Sequence, residues 1–248
     1  MVGQQAGLTD VQTSVRMRTT YIRHIHEGLM IVVIGGIKGG TGKSSLLSHL
    51  ATLAARESRV LIIDADSQGS MTSWSDARNA IKDVAYNQIT TISMRGANIG
   101  TEVLKISQHY DYVFLDTDGQ DGGTQRASLL VADLFITPFA PMPQDIWTAD
   151  LVANVVKGAR SINSNLCAVA LLNKCDGRGQ KQIAEAREAL SEFADAFMLL
   201  PFVIGDRKDI GFCFADGLGI AETKKPNKKA IDEVSQLWSF IKAKKLES

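Results

Sequence analysis

Cysteine is scarce in this chain of 248 residues: Cys167, Cys175 and Cys213 are an odd three with no C-x-x-C spacing. That argues against a disulfide framework or a zinc ribbon and fits a reducing cytosol. Net charge is absent too, since 27 Lys and Arg balance 27 Asp and Glu. No global field draws the chain to nucleic acid or membrane, and any such binding must be local. No apolar run reaches the ~18 to 20 residues of a spanning helix. Residues 1–29 carry Arg16, Arg18, Arg23, His24 and His26 but lack the apolar core of an export signal. A flexible arm, an expression addition and an over-called start codon all fit that stretch. Neither an internal repeat nor a low-complexity tract is evident. Residues 30–245 are expected to form one domain, and a chain that is 45% hydrophobic can bury its core without disulfides or metal.

What is present from Met30 onward is an alternation. The runs MIVVIGG (30–36), RVLIIDA (59–65), DYVFLDT (111–117), LFITPFA (134–140), CAVALLN (167–173) and AFMLLPF (196–202) are short and continuous, with NQITTISM (87–94) a weaker seventh. Such runs suit strands buried on both faces of a parallel sheet. Between them Leu46, Leu50, Leu53 and Ala54, then Leu151, Val155 and Val156, then Ile183, Ala186 and Leu190 repeat at helical spacing. This order predicts an α/β, doubly wound, mostly parallel sheet with helices on both faces. A ligand would sit beyond the carboxyl ends of the strands.

Chemistry gathers at those ends. The segment GGIKGGTGKSS (35–45) follows a strand and opens a helix, the context of a phosphate-binding loop. Gly39, Gly40 and Gly42 let backbone N–H groups turn toward phosphate oxygens, Lys43 would neutralise the β- and γ-phosphates, and the Ser44 hydroxyl is placed for Mg²⁺. Lys38 is a second lysine that the ordinary loop does not need. With it, Lys38, Gly39, Gly40, Thr41, Gly42, Lys43 and Ser44 resemble the deviant Walker A loop, K-G-G-x-G-K-[ST], of ParA/MinD-type ATPases. The resemblance implies a P-loop NTPase fold and an ATPase with slow basal turnover that dimerises on ATP. Lys38 would then reach the partner's nucleotide, and Thr41 and Ser45 would complete the ATP site.

LIIDADSQGS (61–70) resembles the family's D-x-D-P-Q-G-[SN] switch, with Ser67 where proline is usual. Asp64 is expected near the metal, and Asp66 to position water at the γ-phosphate. DYVFLDTDGQDGG (111–123) resembles Walker B, with Asp116 orienting Mg²⁺; Asp118 has no assigned role. TPFAPMPQDIWTAD (137–150) resembles the Pro-rich segment of small plasmid-type ParA proteins through Pro138 and Asp145. NKCD (173–176) matches the guanine-reading element of GTPases, yet the family also places an Asn near adenine, so Asn173 fits either base. Lys38 and the switch favour ATP.

ParA proteins bind DNA without sequence preference and MinD proteins bind membrane through a C-terminal amphipathic tail. Here Ile231, Val234, Leu237, Trp238 and Ile241 recur at helical spacing before Lys242, Lys244 and Lys245. The pattern suits a terminal helix packed on the sheet better than an interfacial one. Lys224, Lys225, Lys228 and Lys229, with Arg207, would form a basic stripe for DNA in a dimer. The implied function is plasmid or chromosome partition on the nucleoid with a separate ParB/ParG-like centromere-binding partner, because no room for a helix-turn-helix domain precedes the loop. A MinD-like membrane role and a P-loop enzyme for a small molecule are the alternatives. Nitrogenase iron-protein-like chemistry is disfavoured, since the bridging cysteines it requires are missing.

Overall fold

The computed structural model describes residues 28–82, 89–120, 122–177 and 179–247. Most of the N-terminal arm, and residues 87–88 of the weaker strand candidate, lie outside them. Seven strands form one parallel sheet: β1 (Met30–Ile34), β2 (Val60–Asp64), β3 (Ile89–Ser93), β4 (Tyr112–Asp116), β5 (Leu134–Phe139), β6 (Cys167–Cys175) and β7 (Met198–Gly205), in the order β3-β2-β4-β1-β5-β6-β7. The apolar runs become strands because both faces are covered. Met30, Val32 and Ile34 point into one core layer and Ile31 and Val33 into the other.

Helices α1 (Lys43–Ala54), α2 (Ser70–Asn79), α8 (Lys208–Ala215) and α9 (Lys228–Glu247) supply the first layer. Helices α3 (Ile99–Ile106), α4 (Gly123–Leu129), α6 (Ala149–Arg160) and α7 (Gln180–Ser191) supply the second, and the short α5 (Pro143–Ile146) lies before α6. Two local expectations shift. Leu151 is half exposed, because Val152, Val155, Val156 and Ala159 form the buried face of α6. β7 also runs on through Pro201 to Gly205, which an edge strand tolerates because its outer N–H has no ladder partner to lose.

Register delivers the site. Asp116 pairs with Ile34 on one side and Asp64 on the other, so the Gly-rich loop, the switch and the Walker B segment leave the sheet at one level. The terminal stripe belongs to the core: Val234, Leu237 and Ile241 are fully buried, and Trp238 packs on Tyr112 with ring centroids 4.9 Å apart. Among the described residues no helix is long and apolar enough to cross a membrane.

Helix α1 is buried almost throughout, polar residues included. Ser48 and Thr52 return their hydroxyls to the helix's own carbonyls of Ser45 and His49. His49 accepts the Ile220 N–H at Nδ1 (3.2 Å), and burial pushes its pKa from 6.5 down to about 4. The folded protein therefore keeps this ring neutral while the unfolded chain protonates it. Its contribution is intact above about pH 6.5 and is lost as pH falls toward about 4, by roughly 3 kcal/mol. Urea unfolding at pH 7 and pH 4.5 should show this loss in the wild type and a flatter dependence in His49→Gln.

Candidate nucleotide site

The loop between β1 and α1 turns where only glycine is comfortable. Gly40 and Gly42 have φ of 80° and 89°, and a Cβ on Gly42 would lie 2.5 Å from the Asn173 side chain. Asn173 donates from Nδ2 to the Thr41 carbonyl (2.7 Å), so it holds the loop from β6. Thr41 is buried, and Gly39 and Gly40 stand exposed at the rim. The open side is a cavity of about 520 Å³, lined by Gly39, Gly40, Gly42, Lys43, Ser44 and Ser45 and faced by Asp66 and Asp118.

The two lysines part company here. Lys43 is buried and turns its ammonium to the Lys38 carbonyl (3.0 Å), with burial lowering its pKa against the pull of Asp116, Asp66 and Asp118. Lys38 does not line the cavity; its Nζ sits 3.0 Å from Asp145, and its side chain is 38% exposed.

Beneath the loop, Ser44 donates to Asp116 Oδ2 (2.5 Å), and burial pushes the Asp116 carboxyl up to about 7 against the Ser44 bond and Lys43. Asp64 accepts both the N–H (2.7 Å) and the hydroxyl (2.6 Å) of Thr72, so one oxygen secures the first turn of α2. Asp116 Oδ1 and Asp64 Oδ1 are buried with no hydrogen-bond partner. Among the described residues no cluster of His, Cys, Asp and Glu could hold a metal by itself. Two orphaned carboxylate oxygens beside one hydroxyl do suit a Mg²⁺ that takes its remaining ligands from phosphates and water.

Asp66 accepts the Gln68 N–H (2.8 Å). Burial and then the neighbouring Asp118 push its carboxyl up, opposed by the Gln68 N–H and Lys43. Asp118 itself accepts the Ser67 N–H (2.6 Å).

A second cavity of about 260 Å³ shares Gly42, Ser45 and Lys174 with the first and adds His49, Asn173, Ile204, Asp206 and Ile210. Asp176, the guanine-reading alternative, lines neither cavity. Sequence reasoning missed Lys174, Asp206 and His49. Only Lys174 carried a signal, inside NKCD, and its left-handed φ of 56° marks the bend that brings β6 to the loop.

The basic stripe divides. Lys224, Lys225, Lys228 and Lys229 are exposed before and within the first turn of α9, a turn that itself carries no acidic residue. Arg207 does not join them, contrary to expectation: its guanidinium is held by both oxygens of Glu233 (2.5 and 2.8 Å), and its side chain is 16% exposed. The strand's continuation to Gly205 sets Arg207 against α9, where it lines the second cavity.

The model of the CobQ/CobB/MinD/ParA nucleotide binding domain matches residues 32–220. The chain is 23% identical over 216 residues to the "Maintenance of carboxysome distribution protein A" of Halothiobacillus neapolitanus, spanning 85% of this chain and 95% of that protein. Its fold is similar to apo McdA from Cyanothece (TM-score 0.69, 18% identity, 84% of this chain and 98% of that one). A plasmid partition protein from Borrelia burgdorferi is similar too (TM-score 0.63, 22% identity, 87% and 98%).

Proposed function

The chain belongs to the CobQ/CobB/MinD/ParA nucleotide-binding family, and from that premise we propose that it is an ATP-driven positioning protein that pairs with a second copy in the ATP state and rides on DNA. The observation that carries the reading is the divergence of the two lysines. Lys43 lies inside the phosphate cavity, whereas Lys38 faces outward beside Asp145, where it serves a nucleotide held by another copy. A cation supplied in trans makes pairing and hydrolysis one event. Asp66 would orient the attacking water, and Ser44, Asp116 and the unpartnered oxygen of Asp64 would hold Mg²⁺, which when bound would supply charge neutralisation at the phosphates. The second cavity takes the base, and the absence of Asp176 from its wall favours adenine. Turnover is slow until a separate partner protein stimulates it.

The cargo is a plasmid, as in partition, or a large protein body, the alternative suggested by the relative named for carboxysome distribution. Nucleoid DNA is the track. Lys228 and Lys229 sit at the positive end of the α9 dipole, an unfavourable place that an approaching phosphate would relieve. Pairing doubles the number of such lysines on one surface, so DNA affinity should rise in ATP and vanish in ADP. Replacing Lys224, Lys225, Lys228 and Lys229 together with Ala should weaken binding about tenfold or more on unrelated duplexes alike, and flatten its salt dependence. Fluorescence anisotropy at two salt concentrations reads this. ATP-dependent sedimentation with anionic liposomes, with no DNA retained at low salt, would reject the DNA reading.

A further inference from the structure

The segment after β4 touches both the switch turn and the Gly-rich loop. Its base is fixed: the Thr117 N–H donates to the Ile34 carbonyl (3.2 Å), and the Thr117 hydroxyl donates to Gln125 Oε1 (3.0 Å), which also accepts the Gly36 N–H (2.9 Å). One residue on, Asp118 accepts the Ser67 N–H at 2.6 Å in the wall of the phosphate cavity. Next to it, Gly119 lies so close to the Gly-rich loop that a Cβ there would stand 2.7 Å from the Gly39 nitrogen and 2.8 Å from the Lys38 carbonyl carbon.

The switch is anchored at its other end. Asp64 fixes the start of α2 through Thr72, and the buried Arg78 near its end makes two 2.9 Å bonds to Glu222. Ala65 is buried and its N–H donates to the Asp116 carbonyl (2.9 Å), so what lies between the two anchors is the short, more exposed turn at 66–69. Within it the Asp66 carboxylate accepts the Gln68 N–H, closing a turn around Ser67. A hold on the Ser67 amide therefore sets the direction of Asp66. Proline at position 67 could not be held this way, because it has no N–H. Ser67, which stands where the family usually has proline, and Asp118, to which the sequence assigns no role, are the donor and acceptor of one bond.

We propose that Asp118 is a positioning residue for hydrolysis: its carboxylate latches the Ser67 amide to the rigid β4 loop and so aims Asp66 into the phosphate cavity. The latch rests on the reading of Asp66 as the residue that orients water. The bond to Ser67 itself needs an acceptor rather than a charge, because the donor is a neutral amide; the effect of the Asp118 charge on the Asp66 carboxyl is separate from it.

Four variants separate these roles. D118N keeps an acceptor without the charge, D118A removes both, S67P removes the donor and S67A keeps it. Amide exchange at Ser67 in the nucleotide-free protein should be slow in wild type, D118N and S67A and about tenfold faster in D118A. ATP hydrolysis stimulated by the partner should fall about tenfold or more in kcat for D118A and S67P, with KM within about threefold, because a misaimed group costs rate more than binding. D118N should recover most of that loss, and the D118A/S67P double variant should be no slower than either single one.

D118N as slow as D118A, additive single effects, or unchanged Ser67 exchange in D118A would each overturn the latch. Exchange needs no catalysis, so it judges the latch even if S67P fails to fold. If D66A hydrolysed ATP at the wild-type rate while the exchange results held, the reading of Asp66 would fail, and with it only the hydrolytic half of the proposal.

Discussion

Lys38→Gln is expected to leave ATP bound and almost unhydrolysed. The Lys38 ammonium lies outside its own phosphate cavity, so its loss should change the ATP dissociation constant by no more than about threefold. Partner-stimulated turnover should fall on the order of 10³-fold, the scale of a cation supplied in trans. Lys43→Ala should do the reverse and weaken ATP binding about a hundredfold, roughly 2.7 kcal/mol. Mixing separates trans from cis action. K38Q and D66A would each be inactive alone, but a mixed pair has one complete site, with Lys43 and Asp66 from one copy and Lys38 from the other. Equal mixing should restore about a quarter of wild-type activity, because half of the pairs are mixed and each has one good site of two. No recovery, or a K38Q variant with the full stimulated rate, would sink the trans reading.

Trp238→Glu should unfold the protein rather than detach it from anything. Trp238 is 8% exposed and packs from α9 against Tyr112 in the core layer, the rings tilted by 58°. Truncating such a ring costs about 3 to 5 kcal/mol, and a buried carboxylate adds to this. At ~2 to 4 °C per kcal/mol for a chain of this size, thermal unfolding should drop by roughly 10 °C or more. Leu246→Glu is the control on the same helix: Leu246 is 89% exposed, and its replacement should move stability by less than about 0.5 kcal/mol. A W238E protein of unchanged melting temperature would mean that the helix does not depend on the core.

Much of this was legible in the sequence because local pattern and global environment agreed. The runs around Val32, Ile62 and Phe114 read as strands, and become strands, because both sides of each are covered. Gly40 and Gly42 were readable because glycine alone takes their positive φ without strain, and at Gly42 the Asn173 side chain also leaves no room for a Cβ. Long-range partnership was not legible. Nothing near Arg207 in the chain points to Glu233, and nothing near Lys38 points to Asp145. Leu151 misled because an apolar residue at helical spacing can fall just off the buried arc. Asp118 had no assigned role until the fold set it beside an amide from β2's loop, 51 residues earlier.

The bond from Asn173 to Thr41 also orders events in time. Its two ends are 132 residues apart in the chain, so a ribosome that has just released the Gly-rich loop has not yet made the residue that secures it. At ~5 to 20 residues per second that interval is on the order of ten seconds, and Asp116 arrives partway through it. During synthesis the loop is an ordinary glycine-rich turn, and competence to hold ATP arrives late, when β6 closes against β5. A nascent chain therefore completes this loop's support only when most of its sheet exists.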